Sequence, residues 1–367
     1  MAPEFHGGPA GRRIAGKVTL LIVELMRLIA IIGFCIFLAG SGEGVARQPR
    51  EATLIAGGDV LLDRGVRQAM DRAGDPGYLF QGIAPLLKQA DLALANLECP
   101  LTLETVPIAK QFSFRSDPAM APVLRQAGFT VLNLANNHSI DYGRSGLVET
   151  IQHLEQAGIV VIGAGSDQKD ATQPRYLKLN GLKIALLGFV DMPIEGVMPL
   201  PELPGPAFAE PDQVVAAIRR AKRQADWVVV TVHWGQEYQH LPSDRQRRLA
   251  HLMASSGADM IVGHHPHVIQ SAEMIGNTAV FYSVGNLVFD QSQPDCSEAI
   301  LVQMELRGKK SRSFKALPLQ IRKARPAPAS PTEGAETLGR LAELSPAVSF
   351  HVDADGWWTI QPVTPPQ

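Results

Sequence analysis

Cysteine is scarce: the 367 residues contain three, at positions 35, 99 and 296, and none belongs to a Cys-x-x-Cys pair. That leaves no thiolate set for a structural zinc. An excess of charge of one sign is also missing. Lys plus Arg number 34 against 36 Asp plus Glu, a formal net charge of −2, so neither a nucleic-acid surface nor an acidic solvating tail is indicated. No Gly-Lys-Ser/Thr follows Gly163-Ala164-Gly165, which rules out a phosphate-binding loop there. Long apolar runs are short of membrane-spanning length. The uncharged run Leu28–Gly40 (LIAIIGFCIFLAG) has the length of a signal-peptide core.

That run, preceded by Met26-Arg27 and followed by SGEGVA, reads as an export leader with a cleavage site after Ala46. Met26 is then the true start, and residues 1–25 are an extension. If the longer form is made, Val18–Leu38 would instead anchor the chain. Cys35 lacks the small-residue pattern of a lipid-attachment site. Without residues 1–46, two cysteines remain. Cys99 and Cys296 read equally as a disulfide or as two buried thiols.

What is present is an α/β pattern, 46% hydrophobic and only 19% charged. Trp227–Val232 is a β-branched run of buried-strand type ending at His233-Trp234-Gly235. A helix follows, with Ser243 and Gln246 as its capping box and Gly257 as its stop. Ala258–Val262 is the next strand, and it ends at Gly263-His264-His265-Pro266-His267. Ten histidines occur in the chain, and four of them sit at these two strand exits. α/β sheets place their sites at such carboxyl ends.

Earlier strands end the same way. Ala52–Gly58 leads to Asp59, Asp91–Leu97 to Glu98, and Thr130–Ala135 to Asn136-Asn137-His138-Ser139-Ile140-Asp141. Asn180-Gly181 and Gly276-Asn277 mark hairpins. Met192–Pro206, with its prolines, reads as a surface loop or lid. Lys323–Thr332 reads as a Pro/Ala-rich linker and Ser349–Gln361 as a terminal hairpin. The domain map is therefore a signal peptide or membrane anchor at 1–46, the main α/β domain at 52–322, and a Pro/Ala-rich linker with a C-terminal hairpin at 323–367. A lone histidine at a strand end is ordinarily satisfied by hydrogen bonds. Two carboxylates, an amide and several imidazoles together make a mixed oxygen/nitrogen ligand set suited to manganese, iron or zinc.

The order Gly-Asp, Asn-Leu-Glu, Asn-Asn-His-x-x-Asp, His-Trp-Gly, Gly-His-His-Pro-His and Ser-Val-Gly-Asn, over Thr53 to Gln291, resembles the CapA (PGA_cap) family of poly-γ-glutamate capsule synthesis. That family is related to the calcineurin-like metallophosphoesterases. The resemblance implies a four-layer αββα sandwich with one or two divalent ions at its strand ends. Asp59 stands as the first metal carboxylate and Glu98 as the bridging one. Asn137, His233 and His265 complete one metal, and His267 serves the other. His138 stands as general acid with Asp141 holding its ring, and Arg64 and His264 as substrate contacts. The phosphoesterase pattern Asp-x-His departs here to Asp59-Val60-Leu61, one ligand fewer, and Glu98 replaces an Asp.

Two functions follow. The first is an exported, periplasmic or extracytoplasmic membrane-associated hydrolase or transferase acting on an ester or amide bond of a polymer or small molecule. The second is a non-catalytic factor holding an anionic polymer through metal and Arg64, Lys110 or Arg115. Either would work beside membrane-bound capsule synthesis machinery. A third reading treats the histidines as purely structural.

Overall fold

The structure, a computed structural model, describes residues 50–363; the leader expected at 1–46 lies outside the described residues. The elements run β1 (Glu51–Val60), α1 (Arg64–Ala73), α2 (Ala84–Gln89), β2 (Leu92–Leu97), α3 (Met120–Ala127), β3 (Val131–Asn133), α4 (Gly143–Gln156) and β4 (Val160–Ile162). Next come β5 (Ala164–Gly165), α5 (Gln168–Ala171), β6 (Arg175–Leu179), β7 (Leu182–Asp191), β8 (Gly205–Pro206) and α6 (Pro211–Gln224). Then follow β9 (Trp227–Trp234), α7 (Asp244–Ser256), β10 (Met260–His264), β11 (Ala272–Ile275), β12 (Thr278–Phe281) and β13 (Asn286–Val288). The rest is β14 (Glu298–Arg307), β15 (Ser311–Arg322), β16 (Arg325–Pro328), α8 (Pro331–Leu344), β17 (Val348–Val352) and β18 (Trp358–Pro362).

Two large sheets hold all of these strands except β5 and β8, which pair with each other. One has the order β17-β18-β15-β14-β1-β2-β3-β4, with β13 beside β1 and β16 beside β15; the other runs β11-β12-β10-β9-β7-β6. Alternation along each strand decides which layer a side chain enters. In β9, Trp227 and Val229 pack toward the first sheet with Leu54, Leu94 and Ile184, whereas Val228, Val230 and Val232 pack beneath α6 and α7. In β1, Leu54 and Ala56 face the second sheet while Ile55 faces the helices α1 to α4. Strands covered on both faces become continuous apolar runs, as WVVVTV is. The result is the expected four-layer αββα sandwich. Helix α7 begins at the Ser243/Gln246 capping box and ends at Gly257, whose φ of 113° only glycine takes without strain.

Two expectations meet a different structure. Residues 323–332 do not form a linker. Lys323 and Ala324 turn the chain with positive φ, β16 pairs with β15, and Ser330 caps α8. The α8 side chain Leu341 packs into the inter-sheet core with Trp358 and Ile360. The loop at 192–204 does not cover the strand-end histidines. It walls a separate cavity of about 810 Å³ with Val190, Phe208 and Arg245. Of the two readings left open for Cys99 and Cys296, the structure has the second: both are buried free thiols.

Candidate metal centre

Parallel pairing brings the expected residues to one edge. Asp59 is in register with Asn96 across β1 and β2, and His233 with His264 across β9 and β10. The carboxyl ends of both sheets therefore open onto the same space. Glycine lets β1 get there: a Cβ on Gly58 would stand 1.9 Å from the Gly285 carbonyl oxygen. The strand register shifts on both sides of Asp59, the kind of irregularity that re-aims a side chain.

Asp59 is fully buried. Its Oδ1 accepts from Asn96 Nδ2 at 2.8 Å and its Oδ2 from the His265 backbone N–H at 3.2 Å. Burial works against its charge, but the His264 and His267 rings, each 3.4 Å from one of its oxygens, hold its carboxyl well below the usual range. Glu98 is the opposite case. It too is fully buried, yet neither carboxylate oxygen has a hydrogen-bond partner. Burial first, then the Asp59 charge, push it well above its ordinary value.

The imidazoles close around these two acids. His233 Nε2 lies 2.8 Å from Asn137 Oδ1 and 3.9 Å from Glu98 Oε1. His267 Nδ1 meets Asn286 Oδ1 at 3.0 Å, which leaves Nε2 facing Glu98 Oε1 at 3.8 Å. An outer hydrogen bond of this kind fixes the ring for a ligand. Burial lowers His265 to about 3 and holds His233 well below its ordinary value. Burial opposes the charge on His267 too, but Glu98 and Asp59 outweigh it and raise that ring to about 9. His265 and His267 take φ values of 95° and 59° on either side of Pro266, a strain found where function demands it.

Two donor triads result, Asp59/Glu98/His267 and Glu98/His233/His265, each with ligand atoms within 4.8 Å of one another. Glu98 is common to both. A buried carboxylate without partners is costly, and imidazole nitrogens such as His265 Nδ1 also stand unpartnered. This donor set fits divalent cations.

Beside the triads lies a cleft of about 440 Å³ lined by Arg64, Phe112, Phe114, His138, Phe289 and Asp290, among others. His138 Nδ1 is 2.8 Å from Asp141 Oδ2, and Asp141 also accepts from Lys110 Nζ at 2.7 Å and the Phe114 N–H at 2.7 Å. Burial lowers the His138 pKa despite Asp141. Arg64 pairs with Asp290 and lies over the Phe114 ring at 4.8 Å. His264 differs from expectation. It is fully buried, with Nδ1 3.4 Å from Asp59 Oδ1, so it sits behind the ligands and not on the cleft wall.

Sequence reasoning missed Asn96, Asn286 and Glu237. Asn96 ties Asp59 to its surroundings and receives Asn133 Nδ2 at 2.9 Å and Asn136 Nδ2 at 3.1 Å. The signal was present: an amide inside the apolar strand LALANL must find partners in the core.

A four-layer α/β sandwich with two buried acids and converging imidazoles at one edge sets the class. Within it, the chain belongs to the family described as bacterial capsule synthesis protein PGA_cap, which residues 53–291 match. The capsule biosynthesis protein CapA of Bacillus anthracis is 37% identical over 84% of this chain and 77% of its own length. The PGA biosynthesis protein CapA of Bacillus subtilis is 38% identical over 74% and 72% respectively. Among solved structures, the calcineurin-like phosphoesterase YfkN of Bacillus subtilis aligns with 77% of this chain and 89% of its own at 15% identity and a TM-score of 0.44.

Proposed function

We propose that this protein acts outside the cytoplasm in making or processing a capsular poly-γ-glutamate polymer, by metal-dependent hydrolysis or transfer at an ester or amide bond. The observation that carries the reading is Glu98, buried, without a hydrogen-bond partner, and shared by two donor triads. Asp59, Glu98 and His267 would hold one ion, and Glu98, His233, His265 and Asn137 a second; manganese, iron and zinc suit such ligands. When bound, the metal supplies Lewis acidity and an acidified water.

The chain's own groups supply the rest. His138, oriented by Asp141, faces the cleft with the role of proton donor to a leaving group. Phe112, Phe114 and Phe289 give that cleft aromatic walls. The names of the Bacillus relatives support the polymer, and the apolar leader supports export. The non-catalytic alternative finds less support. Lys110 gives its charge to Asp141, Arg64 pairs with Asp290, and Arg115 donates to the Glu104 carbonyl.

Elemental analysis of the purified protein tests the core of this reading, with about one or two equivalents of metal expected. No metal after reconstitution with manganese, iron or zinc would overturn it. N-terminal sequencing of exported protein should begin near Arg47; an intact Met1 or Met26 on membrane-bound protein would replace cleavage with anchoring.

A further inference from the structure

We infer that Glu237 is an additional metal ligand of the strand-end centre, a carboxylate supplied from the loop after β9. This deepens the metal reading above and rests on it. Glu237, His265 and His267 form a third group whose ligand atoms lie within 4.8 Å of one another. His265 and His267 are each more than nine-tenths buried, and His265 Nδ1 has no hydrogen-bond partner.

The backbone holds the loop in place for this. The Tyr238 N–H donates to the Pro266 carbonyl at 2.9 Å, fastening the residue after Glu237 onto the segment that carries both histidines. Tyr238 adopts a φ of 63°, a left-handed conformation that a bulky side chain takes only under constraint. Its hydroxyl accepts from Gln291 Nε2 at 3.0 Å, and Gln291 in turn accepts from Asn286, the residue that orients His267. Tyr238, the residue after Glu237, thus belongs to one hydrogen-bonded chain that ends on His267.

Glu237 lines the cleft on a solvent-accessible loop, whereas Glu98, which borders the same cleft, is buried, as are Asp59 and His233. Glu237 is therefore the most solvent-accessible of the ligands.

The test compares full-length wild type, Glu237→Gln and Glu98→Gln after loading with Mn(II), reading metal content and the rate of loss to EDTA. Glu237→Gln should release metal at least about tenfold faster than wild type. Its metal-free form should unfold at the wild-type denaturant concentration, because the substitution is isosteric and lies in a solvent-accessible loop. Wild-type content and release rate in Glu237→Gln, with Glu98→Gln depleted, would overturn this inference and leave the metal reading standing. A wild type that takes up no metal would overturn both.

Discussion

Asp59 and Glu98 address opposite nitrogens of one imidazole. His267 Nδ1 lies 3.4 Å from Asp59 Oδ2, and His267 Nε2 lies 3.8 Å from Glu98 Oε1. The two acids are equally buried but unequally served. Asp59 receives an amide and a backbone N–H, while Glu98 receives nothing. Their proton affinities therefore move in opposite directions.

Glu98→Gln should stabilise the metal-free protein while emptying the centre. Its folded pKa stands well above 4.5, so the unfolded chain gives up this proton first as pH rises. The folded state then loses stability above pH 4.5, and the amide removes that loss. We expect a gain of about 1–3 kcal/mol at pH 7 in urea unfolding, shrinking toward pH 4.5. An equal gain at both pH values would show that Glu98 does not titrate differently on folding.

Metal uptake should strengthen as pH rises toward 9. His267 keeps its proton up to about 9, so proton and metal compete for that ring over the neutral range. His265, lowered to about 3, is already neutral there and offers no such competition. Titration with Mn(II) at several pH values should therefore show steeper pH dependence in wild type than in His267→Gln. Matching slopes would remove His267 from the linkage.

His138→Ala and Asp141→Asn should keep their metal and lose turnover. Positioned proton donors contribute about 10²- to 10⁴-fold to rate, and neither residue belongs to a donor triad. Single-turnover rates on a γ-glutamyl or phosphoester substrate, measured beside metal content, check this. An unchanged rate in His138→Ala would assign the proton to another group.

Gly58→Ala should be disproportionately harmful. The added methyl would lie 1.9 Å from the Gly285 carbonyl oxygen, inside the β1–β13 contact that sets Asp59. Overpacking at a backbone contact costs about 1–3 kcal/mol, so the denaturation midpoint should fall. A wild-type midpoint with full metal content would mean that the strands separate freely.

The stretch Trp227–His267 was legible because a β-branched run, a capping box and a terminating glycine all agree on strand–helix–strand. Its histidines were legible as well, since strand exits converge in α/β sheets. His264 was misplaced because alternation sends neighbouring side chains to opposite sides, and only register shows which side is the cleft. Lys323–Thr332 was misread on composition. Pro326 and Pro328 are tolerated because β16 is an edge strand, where a missing N–H leaves no neighbour unpaired. Its Lys323-Ala324 turn carries neither asparagine nor glycine to announce it. Glu237 depends on contacts to residues far along the chain, which no local pattern records.

The antiparallel pairing of β1 with β14 sets a schedule. Ala52 bonds opposite Leu306, and Glu51 opposite Arg307, so the strand that delivers Asp59 gains this neighbour only after most of the chain exists. Loop closure over that span is slow, as it is for any fold dominated by non-local pairing. A chain that stops before residue 298 therefore holds every named ligand but lacks the strand that braces β1 on this side.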